Sequence, residues 1–167
     1  EVVPVSVYHS TVNPQNDDYQ NNYHAMLEIV AEMEGKLKAC LYQGKDKYKQ
    51  RHIKSGKLLA RERIELLLDP DSCFLELMSL AGDAEPDNVP GAGVITGLGV
   101  ISGVECAINA SVPTIKGGAM NPMTLKKALR LDAIAEENRL PMVYLIESAG
   151  ADLTRQSELF DLGGVPF

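Results

Sequence analysis

The chain has 167 residues, of which 45% are hydrophobic and 23% charged, and 16 basic against 23 acidic residues give a net charge of −7. That composition suits one ordinary globular domain with a core of its own, and an acidic balance with no segregated basic patch argues against a nucleic-acid partner. No apolar run approaches the roughly 20 residues of a membrane-spanning helix, and residues 1–7 are too short and acidic for a signal peptide.

The first twenty residues, with Asn13-Pro14-Gln15-Asn16-Asp17-Asp18, are polar and turn-rich and predict an extended or disordered arm. From Tyr23, apolar Met26, Leu27, Val30, Met33, Leu37 and Leu41 recur in steps of three and four, which predicts an amphipathic helix closed by Gly44. A second helix is expected over Leu58–Leu68, stopped by Asp69-Pro70, because proline disfavours helix in the residue before it. Phe74–Leu80 reads as a strand, and residues 91–110 read as two β-branched runs around a turn at Ser102-Gly103. Lys116-Gly117-Gly118 is a loop, Pro122 opens a helix to about Asn138, and Met142–Ile146 is a short strand running into Glu147-Ser148-Ala149-Gly150-Ala151. A further segment, helical in pattern, covers Leu153–Phe160.

The expected organisation is the arm over 1–20, a helical region over 21–70, and the first, incomplete part of an α/β domain over 71–167. The stop at Gly163-Gly164-Val165-Pro166-Phe167 reads as the cut end of a longer chain.

Several chemistries lack their residues. The glycines at 91, 93, 97, 99 and 103 do not make a GxGxxG fingerprint, and tight strand packing accounts for them better. His9, His24 and His52 form no HExxH or Cys/His cluster, so no metal site is expected. Ser148 lacks a GxSxG setting and has no histidine downstream, which argues against a hydrolase triad. Cys40, Cys73 and Cys106 are widely spaced in apolar settings and read as buried thiols of a reducing compartment. Asp132, Glu136 and Glu137 are expected to face water, and Arg63 to pair with nearby carboxylates.

Four stretches in series carry a resemblance. Ser55-Gly-Lys-Leu-Leu-Ala-Arg-Glu-Arg-Ile64 with Leu68-Asp69-Pro70 resembles the N-terminal helical signature of biotin-dependent acyl-CoA carboxylase β subunits. Residues 89–99 with Gly103-Val-Glu-Cys106 resemble their first β-hairpin, in the methylcrotonyl-CoA carboxylase form. Thr114-Ile-Lys-Gly-Gly118 with Pro122-Met-Thr-Leu-Lys-Lys127 resembles their loop-to-helix junction. Glu137-Asn-Arg-Leu-Pro141 and Glu147–Ala151 resemble the strand and glycine loop that follow. The chain departs from the family's usual Asp-Ser-Gly-Gly-Ala at Glu147 and Ala149. It also has Met120-Asn121 where the methylcrotonyl type commonly has an aromatic pair, which leaves the acyl group open.

The resemblance implies part of a crotonase-like ββα superhelix, preceded by N-terminal helices. It implies carboxyltransferase chemistry, in which a carboxyl group passes from biotin to a methylcrotonyl-, propionyl- or acetyl-CoA-like thioester. The family relies on backbone N–H donors, which stabilise a developing oxyanion by several kcal/mol at about 3 Å. Ala149, Gly150 and Ala151 are the candidates for those donors, an ordinary strand-to-helix turn being the alternative. Lys57, Arg61, Lys116, Gly117 and Gly118 are the candidates for binding CoA, the charged ones being equally readable as solvated surface charges.

No Met-Lys-Met motif is present, so the resemblance puts biotin on a partner, a biotin carboxylase or biotin carrier subunit. Further partners would be other copies of the carboxyltransferase subunit and the rest of its own chain. The implied location is the cytoplasm, or the mitochondrial matrix of a eukaryote, and these residues alone are expected to be inactive. The sequence leaves open a related acyl-CoA decarboxylase subunit and a non-catalytic assembly segment, while a CoA hydratase fits least.

Overall fold

Local start and stop signals set most of the elements. The structure, a computed structural model, describes residues 9–85 and 89–163. It divides into two compact units, Glu1–Lys36 and Leu37–Phe167.

Helix α1 (Asp17–Cys40) occupies most of the first unit and reaches into the second, and none of its residues is buried. It begins six residues before Tyr23, so residues 17–20 of the expected arm are helical. Residues 1–8 lie outside the described residues, and 9–13 have no regular secondary structure. The early start follows from capping, which apolar periodicity does not register. Asn16 Oδ1 accepts the Asp18 N–H at 2.9 Å, and Asp17 and Asp18 meet the positive end of the helix. The helix stops at Cys40, ahead of Gly44. Gly44 serves a close approach instead, since a Cβ there would lie 2.4 Å from the Thr114 carbonyl.

The second unit opens with α2 (Asp46–Lys54), which the periodicity did not reveal because His52 is its one buried residue. Helix α3 (Ala60–Leu67) follows, and the Glu62 carboxylate accepts the Leu59 N–H at 2.7 Å at its start. Strand β1 is confined to Leu75–Leu77, shorter than the expected 74–80, because Met78 turns left-handed with φ 55. Strands β2 (Val94–Ile101) and β3 (Val104–Ser111) form the expected hairpin. Ser102 and Gly103 have φ of 52 and 77, the double positive φ of a two-residue turn whose twist suits the flanking strands.

Helix α4 (Pro122–Asn138) then crosses over to β4 (Met142–Leu145), and α5 (Gln156–Gly163) follows a turn at Leu153–Arg155. The sheet order is β1-β2-β3-β4. The first three strands are antiparallel, and β4 runs parallel to β3 with Ala107 opposite Met142. This is a ββα unit of the kind the resemblance implies.

The alternation of β3 divides the core. Ile108 and Ala110 meet Ala60 and Ile64 of α3 on one face, and Ala107 meets Leu131 and Ala135 of α4 on the other. Gly97 and Gly99 are the price of that closeness, because a Cβ at either would strike the Phe74 ring at 2.4 Å or Leu68 at 2.3 Å. Side chains packed onto the sheet from beside the strands therefore account for this pair, whereas Gly91, Gly93 and Gly103 take positive φ.

Three smaller expectations are corrected. Cys106 is buried and Cys40 partly so, but Cys73 is exposed. Arg63 donates its hydrogen bond to the Leu145 carbonyl at 3.5 Å, and only its charge reaches a carboxylate, helping to draw that of Glu147 down. Glu136 and Glu137 face water as expected, but Asp132 is half-buried and accepts the Tyr144 hydroxyl at 2.7 Å; burial together with that bond pushes the phenol up to about 12.

Candidate functional site

Two loops, one before α4 and one after β4, are laced together and carry most of the nominated residues. Lys116, Gly117 and Gly118 have φ of 46, 67 and 68 in succession, a path that glycine follows without steric cost. Gly118 also has no room for a side chain, since a Cβ would sit 2.3 Å from the Glu147 carbonyl. The Ala149 N–H donates to the Gly117 carbonyl at 2.9 Å, and Met120 donates to Gly150 and accepts from Asp152, each at 2.8 Å. Ser148 Oγ donates to the Gly118 carbonyl at 2.6 Å.

Gly150, with φ 103, takes the left-handed position, and Ala149 does not. The alanine is therefore accommodated without strain. Asn121 is explained locally too, because its side chain caps α4 by accepting the Thr124 N–H at 2.9 Å.

The three nominated backbone donors are not equivalent. Ala149 N–H is engaged by Gly117, and Gly150 N–H by Ser148 Oγ at 3.1 Å. Among the described residues, the Ala151 N–H has no acceptor, and Ala151 is exposed.

A cleft of about 640 Å³ brings Lys57, Lys116 and Gly117 together with Tyr48, Arg51 and His52. The last three come from α2, the helix that the apolar pattern missed. The signal for them was the basic run Arg51, His52 and Lys54 in its last turn. His52 is 9% exposed, and its Nε2 lies 3.0 Å from the Leu58 carbonyl. Lys57 Nζ is 2.5 Å from Glu147 Oε1, and this contact with Lys57 draws the Glu147 carboxyl below its usual range. A second cleft of about 360 Å³ shares Lys116 and adds Lys126, Arg155, Asp152 and Glu158.

Arg61 lies elsewhere. Its guanidinium forks onto Glu76 at 2.7 and 3.1 Å and donates to the Cys40 carbonyl at 3.2 Å. The planar fork matches a carboxylate in two places at once, so Arg61 ties α3 to β1 and does not line the basic cleft. Among the described residues, no group of three or more His, Cys, Asp and Glu side chains is placed to hold a metal ion. No described helix is long and apolar enough to cross a membrane.

Residues 51–164 match the carboxyl transferase domain family, and the chain belongs to that family. It is 48% identical over 158 residues to a probable biotin-dependent acyl-coenzyme A carboxylase beta2 subunit of Mycobacterium tuberculosis, covering 95% of this chain and 30% of that protein. It is 45% identical over 157 residues to a probable mitochondrial methylcrotonoyl-CoA carboxylase beta chain of Drosophila melanogaster, covering 93% and 27%. Among solved structures it resembles the beta subunit of P. aeruginosa geranyl-CoA carboxylase, with a TM-score of 0.84 and 42% identity over 96% of this chain and 30% of that one. The chain thus spans about a third or less of the length of the relatives it matches.

Proposed function

We propose that these residues form the acyl-CoA face of a carboxyltransferase subunit in a biotin-dependent carboxylase acting on a methylcrotonyl-CoA-like thioester. One observation carries the reading. Lys57, Lys116 and Gly117 share a basic cleft, and Gly117 is bonded directly to the loop that presents Ala151. The cations of the cleft receive the phosphates of CoA, for which charge-assisted bonds are the strong ones. The Ala151 N–H is offered to the thioester oxygen, where negative charge collects once the acyl carbon has lost its proton.

Biotin, brought by a partner subunit, supplies the carboxyl group. The remaining oxyanion donors belong to parts of the protein beyond these residues. The subunit works in the cytoplasm, or in the mitochondrial matrix of a eukaryote.

The test is steady-state kinetics of the full-length subunit in its complex, with the Lys57→Met/Lys116→Met pair. Losing two charged contacts should raise KM for the acyl-CoA by about tenfold or more while kcat changes little. An unchanged KM would remove the cleft from consideration.

The exposed apolar row on α1, including Met26, Leu27 and Met33, favours an additional role: docking another subunit of the complex.

A further inference from the structure

The ion pair between Lys57 and Glu147 spans 90 positions of sequence and joins the basic cleft to the start of the glycine loop. The two ends are held differently. Glu147 is fixed through its backbone, its N–H donating to Ser111 Oγ at 2.7 Å and its carbonyl accepting from the same hydroxyl at 2.9 Å. Its carboxylate is fastened by Lys57 alone at hydrogen-bonding range, His52 Nε2 standing 4.0 Å away. Lys57 is 54% exposed, and its side chain lines the cleft. The cation is therefore movable, and its partner is anchored.

An anion entering the cleft meets a lysine whose charge is already shared. To engage it, the anion must draw the ammonium from Glu147, and it leaves a carboxylate without its hydrogen-bonded partner, faced only by the more distant Arg63 and His52, beside its own charge. Both effects oppose binding. Resting on the reading of this cleft as the seat of CoA phosphates, we infer that Glu147 is a negative determinant of CoA affinity, competing with the ligand for Lys57. It touches neither substrate nor reacting atoms and acts through Lys57.

The departure from aspartate fits this role. Aspartate is one methylene shorter, and from the same anchored backbone its carboxylate would fall short of the 2.5 Å contact.

The experiment is calorimetric binding of coenzyme A to the full-length subunit and its Glu147→Gln, Lys57→Met and doubly substituted variants. Glu147→Gln should bind about fivefold tighter, the scale of a part-exposed ion pair, and Lys57→Met should bind more weakly than wild type. In the Lys57→Met background, Glu147→Gln should change affinity by less than about twofold, because the competition needs the lysine. A Glu147→Asp substitution preserves the charge and the fold and should tighten binding in the same direction by a smaller factor. Unchanged or weaker binding by both Glu147 variants overturns the competition. Equal tightening with and without Lys57 also overturns it, by showing a simple through-space charge effect. Absence of coenzyme A binding by wild type itself overturns the underlying reading of the cleft along with the competition.

Discussion

Lys127 is a charged side chain held away from water. It is 2% exposed, and its ammonium donates to the carbonyls of Gly91 and Val94 at 3.0 and 2.8 Å. These bonds pin α4 to the segment entering β2. Burial disfavours the charged form and lowers the lysine from 10.5 to about 8, with the nearby Glu76 charge opposing the shift. The unfolded chain therefore binds more protons than the folded one between those values. Stability must rise with pH across the window, the penalty being fully present below 8 and relieved by 10.5. Relative to a Lys127→Met variant, wild type should gain about 3 kcal/mol over that range. Urea denaturation of both proteins at the two ends of the window measures the difference, and parallel curves would contradict the assignment.

Among the elements, the β2–β3 hairpin owes its register to a residue outside it. The Asp69 carboxylate accepts the N–H groups of Ser102 and Gly103 at 2.6 and 2.7 Å, and the Asp69 N–H donates to the Val100 carbonyl at 2.9 Å. The turn after α3 thus clamps the turn of the hairpin. Replacing Asp69 by alanine removes two charge-assisted bonds and should cost about 2 kcal/mol, with asparagine recovering part of it. Chemical denaturation midpoints of the two variants give the comparison, and equal stability of alanine and wild type would exclude the clamp.

Elements bounded by strong local signals were legible in sequence. Pro122 opened α4, and Ser102-Gly103 marked the hairpin turn. Helix α2 was not legible because its stability comes from one buried histidine and its polar faces have no period. The candidate site was legible in part. Lys57, Lys116 and Gly117 do share a cleft, but no sequence rule announces that Arg61 finds Glu76 15 positions away or that Lys57 finds Glu147. Nor can spacing tell which of three adjacent N–H groups is already spent within its own loop.

For the whole molecule, the distribution of burial separates two kinds of work. Every buried residue of the two core clusters lies at or beyond Ala60, and α1 contributes no buried residue at all. A 24-residue helix with Tyr23, Met26, Leu27, Ile29 and Met33 exposed gains little from its own hydrogen bonds, since isolated helices are marginal in water and most helical stability comes from packing an apolar face. Burying that row against another subunit would supply the missing packing at roughly 25 cal/mol per Å² of apolar surface. Deleting residues 1–36, the whole first unit, from the full-length subunit should therefore reduce the size of its assembly. The melting temperature of the remaining fold should shift by only about 2 °C or less, since no residue of α1 belongs to the buried core. Sedimentation velocity on intact and shortened subunits separates the outcomes: an assembly of unchanged size would deny α1 a docking role, and a collapse in melting temperature would assign the helix to the core instead.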